Sequence, residues 1–435
     1  MLLSRSAIYT FSVAFTALVF TDPISFFGWS EYSSIIKYCY TAVAVALIIM
    51  YAVKYNSVNV RMVAPLIALS FFVMSTGVFL FNLINYGYRL SYASAFTSAL
   101  LFAAAAFIPY VVIDVDRILK YLRILFMFCA GLYLAEALFK LTSFGRAHAF
   151  APDVEFGRSI VPLIGLCTAI LQRQRLLACL FLVTMVVAVV ARPTSTFILA
   201  AIICLPLTLA LRSQAIGISR FFSNTVLAVA AFSPFALYFF FDRISELIQL
   251  AESSVKSDVL GAHSNADFRL IIINQALRQW VDQSILIGSG LDGNTTVFIG
   301  REMPNWIDAH TMGLATIHSD FLINLTQSGL IGYAFFITLL YLVLNSRFRA
   351  LRVAAACNRP LFTLISVSII AAVALITYCS VNPFLQYYYV AHPIWMLFFI
   401  SELAVAAALS PSTNRDTPPN FHPTAGAVDP VQSAV

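Results

Sequence analysis

Long apolar runs set the limits on this chain. They fall at about 4–20, 34–54, 62–82, 91–113, 121–139, 159–171, 175–191, 194–211, 221–241, 320–345, 361–380 and 388–409. A helix needs roughly 20 apolar residues to cross the hydrocarbon core of a bilayer. Within lipid, only helices and closed barrels satisfy their own backbone. Barrel strands alternate and stay near neutral in hydropathy, whereas the mean hydropathy here is +0.87. The runs therefore predict an all-α, polytopic integral membrane protein with about 12 transmembrane helices. Only 11% of the 435 residues are charged and 60% are hydrophobic, against about 25% charged in soluble domains. That excludes a soluble domain, a disordered chain and a disulfide scaffold.

Charge placement gives the expected orientation. One alternate set of short loops holds Arg5; Lys54 and Arg61; Arg117, Lys120 and Arg123; Arg173 and Arg175; Arg212 and Arg220; Arg347, Arg349, Arg352 and Arg359; and Arg415. The other set holds Arg89, Arg146, Arg158 and Arg192. Under the positive-inside rule the first set is cytoplasmic, and so are both termini. The first run, preceded by Arg5, has no small-residue cleavage site after it and reads as a retained helix. The expected organisation is transmembrane helices 1–9 over 1–241, a large periplasmic loop over 242–317, helices 10–12 over 318–410, and a disordered cytoplasmic tail over 411–435. The tail is rich in Pro, Ser, Thr and Asn.

The loop is the charged part of the chain, with nine acids and five Lys/Arg in about 75 residues. A structureless loop of that length is unusual. Leu270, Ile273, Leu277 and Trp280 recur at helical spacing, and so do Ile244, Leu247, Ile248, Ala251 and Val255. These stripes predict two short amphipathic helices lying over the membrane surface.

All seven cysteines fall in or beside the apolar runs, so the loop has neither a disulfide nor a spaced Cys metal site. No Walker A or G-x-G-x-x-G motif supports ATP or dinucleotide chemistry. Basic residues never cluster beyond a short loop, so no nucleic-acid partner is expected.

The sharpest local signal is Ile317-His318-Ser319-Asp320 through Gly329-Leu330-Ile331-Gly332. His318 stands where the loop meets the tenth crossing, at the positive end of a helix. That field favours neutral imidazole, the form a general base needs. The simpler alternative is a polar interfacial residue bonded to the loop. Gly329 and Gly332 are expected to let a neighbouring helix approach closely.

Arg192 precedes Pro193 at the expected start of the eighth crossing, an arrangement suited to anions. Its alternative is an arginine reaching to lipid headgroups. Arg269 lies on the loop's helical stripe, where a solvated face is the alternative; Arg146 and Arg158, with His148, occupy an outer loop and could hold a second anionic group. Asp308, His310, His318 and Asp320 are metal-binding types, but their spacing fits no standard motif, so no metal is assigned. Glu136, one turn from Lys140, reads as an interfacial ion pair. One base with fixed cations at the outer face suits a phosphate- or diphosphate-bearing substrate that stays in the bilayer.

The chain resembles the O-antigen ligase and polymerase superfamily. Its ligases carry His, then Asn, Ser or Gln, nine residues, Gly, two residues, and Gly, Thr or Tyr; His318, Ser319, Gly329 and Gly332 satisfy this pattern. The family has an arginine about fifty residues before the histidine, which Arg269 resembles, and one at a periplasmic helix junction, which Arg192 resembles between Ala191 and Pro193. Where the family has Pro before Gly-x-Gly, this chain has Ser284-Ile285-Leu286-Ile287-Gly288-Ser289-Gly290.

The resemblance implies a glycosyltransferase that moves a polysaccharide from undecaprenyl diphosphate to lipid A–core oligosaccharide. The reaction lies at the periplasmic face of a Gram-negative inner membrane, inverts the anomeric centre and uses neither cofactor nor metal. His318, Arg269 and Arg192 are the expected catalytic residues; Arg146, Arg158, Ser319 and Arg278 are the expected substrate contacts. O-antigen polymerase and protein O-oligosaccharyltransferase are alternatives within the superfamily. A lipid-linked sugar flippase is the alternative from another class, but inverted repeats and broken helices meeting at the midplane would mark it.

Overall fold

The computed structural model describes residues 115–142, 152–191, 195–241, 243, 246, 272–278, 280–282, 285–288, 296–298, 314–317, 319–357, 359–381, 397–398, 401–402 and 405. The first four expected crossings, the five residues of the second loop stripe and the C-terminal tail lie outside them. The described helices are α1 (Val115–Thr142), α2 (Pro152–Leu171), α3 (Arg175–Ala191), α4 (Ser195–Arg212), α5 (Ile216–Phe239), α6 (Asp320–Cys357) and α7 (Arg359–Val381). Residues 397–398, 401–402 and 405 are also helical, within the expected twelfth crossing.

Helices α5 and α7, and Ser328–Ala356 within α6, are long and apolar enough to cross a membrane. Segments Ile160–Leu171, Arg175–Val187 and Thr196–Arg212 are apolar but shorter. Phe221, Val229, Phe232 and Phe239 of α5 and Ile202 of α4 are exposed. A soluble monomer rarely leaves so much contiguous apolar surface open.

Helix α7 is the axis of the bundle. Every residue from Phe362 to Cys379 is buried, and α7 touches α6, α4, α5, α2 and α1. A helix that is hydrophobic on all sides belongs inside a core or a membrane; α7 is sheathed by protein. At Gly165 of α2, a β-carbon would lie 2.7 Å from the Phe181 ring of α3, so that glycine sets the close packing of the two helices.

Two turns repeat one design. In the α2–α3 turn the Gln174 amide donates to the Ala169 carbonyl and Arg173 to Ile170; in the α4–α5 turn Ala215 donates to Ala210 and Gln214 to Leu211. Both are Schellman endings, which want a left-handed residue after the helix. Arg173 and Gln214 fill that position, each at φ 59°.

Pro234 of α5 lacks the amide that would pair with the Ala230 carbonyl. Ser233 Oγ donates to that carbonyl at 2.8 Å, and Tyr333 Oη of α6 donates to the Ala231 carbonyl at 2.6 Å. Both carbonyls are thereby satisfied, and α5 is tied to α6.

The described bundle is helical, as expected, and the loop adds a short antiparallel pair, β1 (Thr296–Phe298) and β2 (Leu314–Thr316), with Val297 opposite Ala315. Two sequence expectations need correction. Arg347 is no loop residue: α6 runs on to Cys357, and Arg347 is fully buried in it. The loop helix at 272–282 presents a different face to the bundle from the one expected. Ile272, Ala276, Leu277 and Trp280 are buried in the protein core, so the inward face is rotated from the expected stripe and Ile273 is only partly covered.

Candidate functional site

The site is built around the start of α6. Strand β2 leads directly into Ile317, which is buried, and Ser319 closes the approach on the other side. Ser319 Oγ accepts the Leu322 amide at 3.3 Å, the N-cap bond of α6. The same hydroxyl donates to the Cys379 carbonyl near the end of α7, also at 3.3 Å. Asp320 follows, buried, with its carboxyl beside the Cys379 thiol. The chain is thus anchored immediately before and after His318.

Ten residues beyond Ser319, α6 breaks. Gly329 has φ 60° and ψ −167°, a region open essentially to glycine alone. The break leaves the next amides without helical acceptors, and the loop supplies them. Leu330 N donates to the Ile285 carbonyl at 3.0 Å, and Ile331 N to the Leu286 carbonyl at 3.1 Å. Trp280 Nε1 donates to the same Ile285 carbonyl at 3.2 Å. Gly288, at φ 69° and buried, closes the turn. A β-carbon on Gly329 would overlap the Leu286 carbonyl and the Ile287 amide. The first motif glycine therefore admits a loop backbone, not the neighbouring helix expected from the sequence. Gly332 makes room within α6 itself, for the Ser328 side chain across the break.

Aromatic edges brace this junction. Phe235 of α5 meets Trp280 at 6.2 Å and Tyr333 at 5.9 Å, and Phe321 meets Tyr333 at 6.5 Å, all edge to face. Such pairs each add about 0.5–1.5 kcal/mol beyond burial. Before the break, side chains serve the carbonyls: Asn324 Nδ2 donates to Asp320 O, Thr326 Oγ1 to Ile323 O, and Ser328 Oγ to Asn324 O.

Of the residues expected to act, His318, Arg269, Arg192 and Arg146 lie outside the described residues, as do His148, Asp308 and His310. Arg158 falls on α2, with its side chain outside them. Arg278 is exposed on the loop helix, away from its buried face. Ser319 is buried, with its hydroxyl engaged as above. Among the described residues, no group of three or more His, Cys, Asp or Glu side chains is placed to hold a metal ion.

Sequence reasoning missed the Trp280–Ile285–Leu330 junction. Its signal was Gly288 in the loop and Gly329 ten residues after Ser319, read separately. It also missed a buried charge pair. Arg347 Nη1 lies 3.0 Å from Glu402 Oε2. The guanidinium further donates to Ser368 Oγ at 2.6 Å, Ser401 Oγ at 2.8 Å, and the Val343 and Phe398 carbonyls. It also stands 5.1 Å over the Phe398 ring. A buried charge this well paired holds three helical segments in one arrangement.

Residues 180–337 match a family model described as O-antigen ligase. Over these residues the chain is similar to the O-antigen ligase superfamily. The match runs from within α3 through the loop to α6, so it contains both the docked turn and the broken helix. The match and the three helices long and apolar enough to cross a membrane support an integral membrane protein, and members of that family are membrane glycosyltransferase-like enzymes. No curated protein matches the chain.

Proposed function

We propose that the protein is an O-antigen ligase, transferring a polysaccharide from undecaprenyl diphosphate to a sugar hydroxyl of lipid A–core at the periplasmic face of the inner membrane. The observation that carries this reading is the family match, which encloses the complete His318–Ser319–Gly329–Gly332 motif and the loop docked onto it. The exposed aliphatic side chains of Ile285, Leu286 and Ile287 beside that junction offer a surface for an isoprenoid tail.

In this reaction His318 takes the proton of the acceptor hydroxyl as it attacks the anomeric carbon. The bond from that carbon to the diphosphate oxygen breaks with inversion. Arg192 and Arg269 stabilise the charge growing on the leaving diphosphate, and Arg146, Arg158 and Arg278 contact the donor's anionic and sugar groups. Ser319 fixes the helix start beside the base.

The test is a transfer assay with purified protein, lipid-linked glycan and lipid A–core. Wild type should yield glycan on lipid A–core, and His318→Ala should yield none while remaining folded. Longer glycan on the isoprenoid carrier, with none on lipid A–core, would make the protein a polymerase. Full transfer by His318→Ala would remove its role as base.

A further inference from the structure

The other end of the bundle carries a second site. There the α2–α3, α4–α5 and α6–α7 turns converge on a pocket of about 220 Å³. Its lining includes Arg173, Arg212, Gln214, Arg359, Phe362 and Thr363. It lies opposite the Ser319–Cys379 contact, because α6 starts and α7 ends at that contact while the turn between them borders the pocket.

Three arginines from three separate turns face one small concavity. Among the described residues none of them is ion-paired with a carboxylate. Arg123, Arg220 and Arg347 of this half are each engaged with a side chain: Arg123 donates to Gln172, Arg220 to Asn345, and Arg347 to Glu402. Relief of helix C-terminal dipoles accounts for a cation at each turn, but not for three cations turned to one pocket.

The backbone supplies an independent observation. Arg173 and Gln214 are the non-glycine residues with positive φ among the described residues, and both line this pocket. Glycine is the cheaper occupant of a left-handed helix ending. Keeping an arginine and a glutamine there retains two hydrogen-bond donors that glycine would lack, at a cost in strain.

We propose that this pocket binds a phosphate group, that of an anionic phospholipid headgroup or of a soluble phosphate. Arginine forks match phosphate oxygens, and basic pockets between transmembrane helices take anionic headgroups. The volume falls below the roughly 300–1,000 Å³ of pockets for drug-sized ligands, so a headgroup fits where a sugar nucleotide does not. The Phe362 side chain provides an apolar wall for the glycerol end.

The test uses the full chain in neutral detergent, following thermal unfolding as phosphatidylglycerol, phosphatidylcholine or inorganic phosphate is added. Phosphatidylglycerol should stabilise the protein and phosphatidylcholine should not. Stabilisation by inorganic phosphate at comparable concentration would identify a soluble ligand instead. Arg173→Gly, which eases the backbone, with Arg212→Gln and Arg359→Gln should each weaken apparent affinity about fivefold, and roughly 100-fold together. Equal stabilisation of wild type and the triple variant, or none in wild type by either phosphate source, would overturn the proposal. Neither readout depends on glycan transfer.

Discussion

Gly329 lies so close to the Leu286 carbonyl that no side chain fits between them. A residue of the tenth expected crossing and a residue of the expected periplasmic loop thus approach at backbone distance, and the motif's first glycine and the 285–288 turn form one unit.

Gly329→Ala tests that unit. The new methyl meets loop backbone and the φ of 60° becomes unfavourable. The 285–288 turn should leave its seat, freeing the Leu330 and Ile331 amides. Proteolysis of the loop should accelerate and transfer should fall at least tenfold. Gly332→Ala should be milder and should recover when combined with Ser328→Gly, because its obstacle is one side chain. Unchanged proteolysis in Gly329→Ala would separate the glycine from loop docking.

Ser319→Ala removes the N-cap of α6 and its tether to α7 at once. The helix cap alone is worth about 1 kcal/mol. Thermal stability should drop modestly, and transfer more than stability, because His318 is the preceding residue. Ser319→Thr, which keeps the hydroxyl, should retain most of both. A stability loss with wild-type transfer would show that this anchor does not position the base.

For the arginines, the expected contrast lies between charge and geometry. If Arg192 and Arg269 clamp the diphosphate, lysine keeps the charge and loses the planar fork. Arg→Lys at either position should retain weak donor binding and lose most turnover, while Arg→Ala should lose both. An arginine that only reaches headgroups would tolerate lysine. Donor binding and transfer rate, measured for all four variants, decide each position.

Metal dependence has a direct check. With arginines proposed to take the leaving-group charge, transfer should persist in excess EDTA. Loss on chelation, restored by one divalent ion, would bring back the Asp308, His310, His318 and Asp320 alternative.

Legibility in the sequence followed the physics of each signal. Hydropathy placed α3 at its observed bounds and most other described crossings within several residues, but α6 runs twelve residues past its expected end; burial in lipid demands length and apolarity, which are local. Arg347 was misplaced because a charge at the end of an apolar run resembles a loop. Only Glu402, within the last run, makes it a core residue, and only packing brings the two together. The break at Gly329 was hidden for a similar reason: glycine is common in membrane helices, and the substitute acceptors come from residues more than forty positions earlier. The loop helix showed its period but not its inward face, which neighbouring Phe235 and Tyr333 decide.

The Arg347–Glu402 pair also bears on how the protein is made. The two residues are 55 positions apart, and arginine emerges from the ribosome first. While synthesis continues, the helix bearing Arg347 has no counter-charge, and a lone buried charge is strongly unfavourable. Until Glu402 is made, the buried arrangement of Arg347 is disfavoured, and its side chain is better turned to water. A nascent chain ending before Glu402 would therefore leave the Arg347 guanidinium without its counter-charge, so the packed bundle depends on residues made 55 positions later.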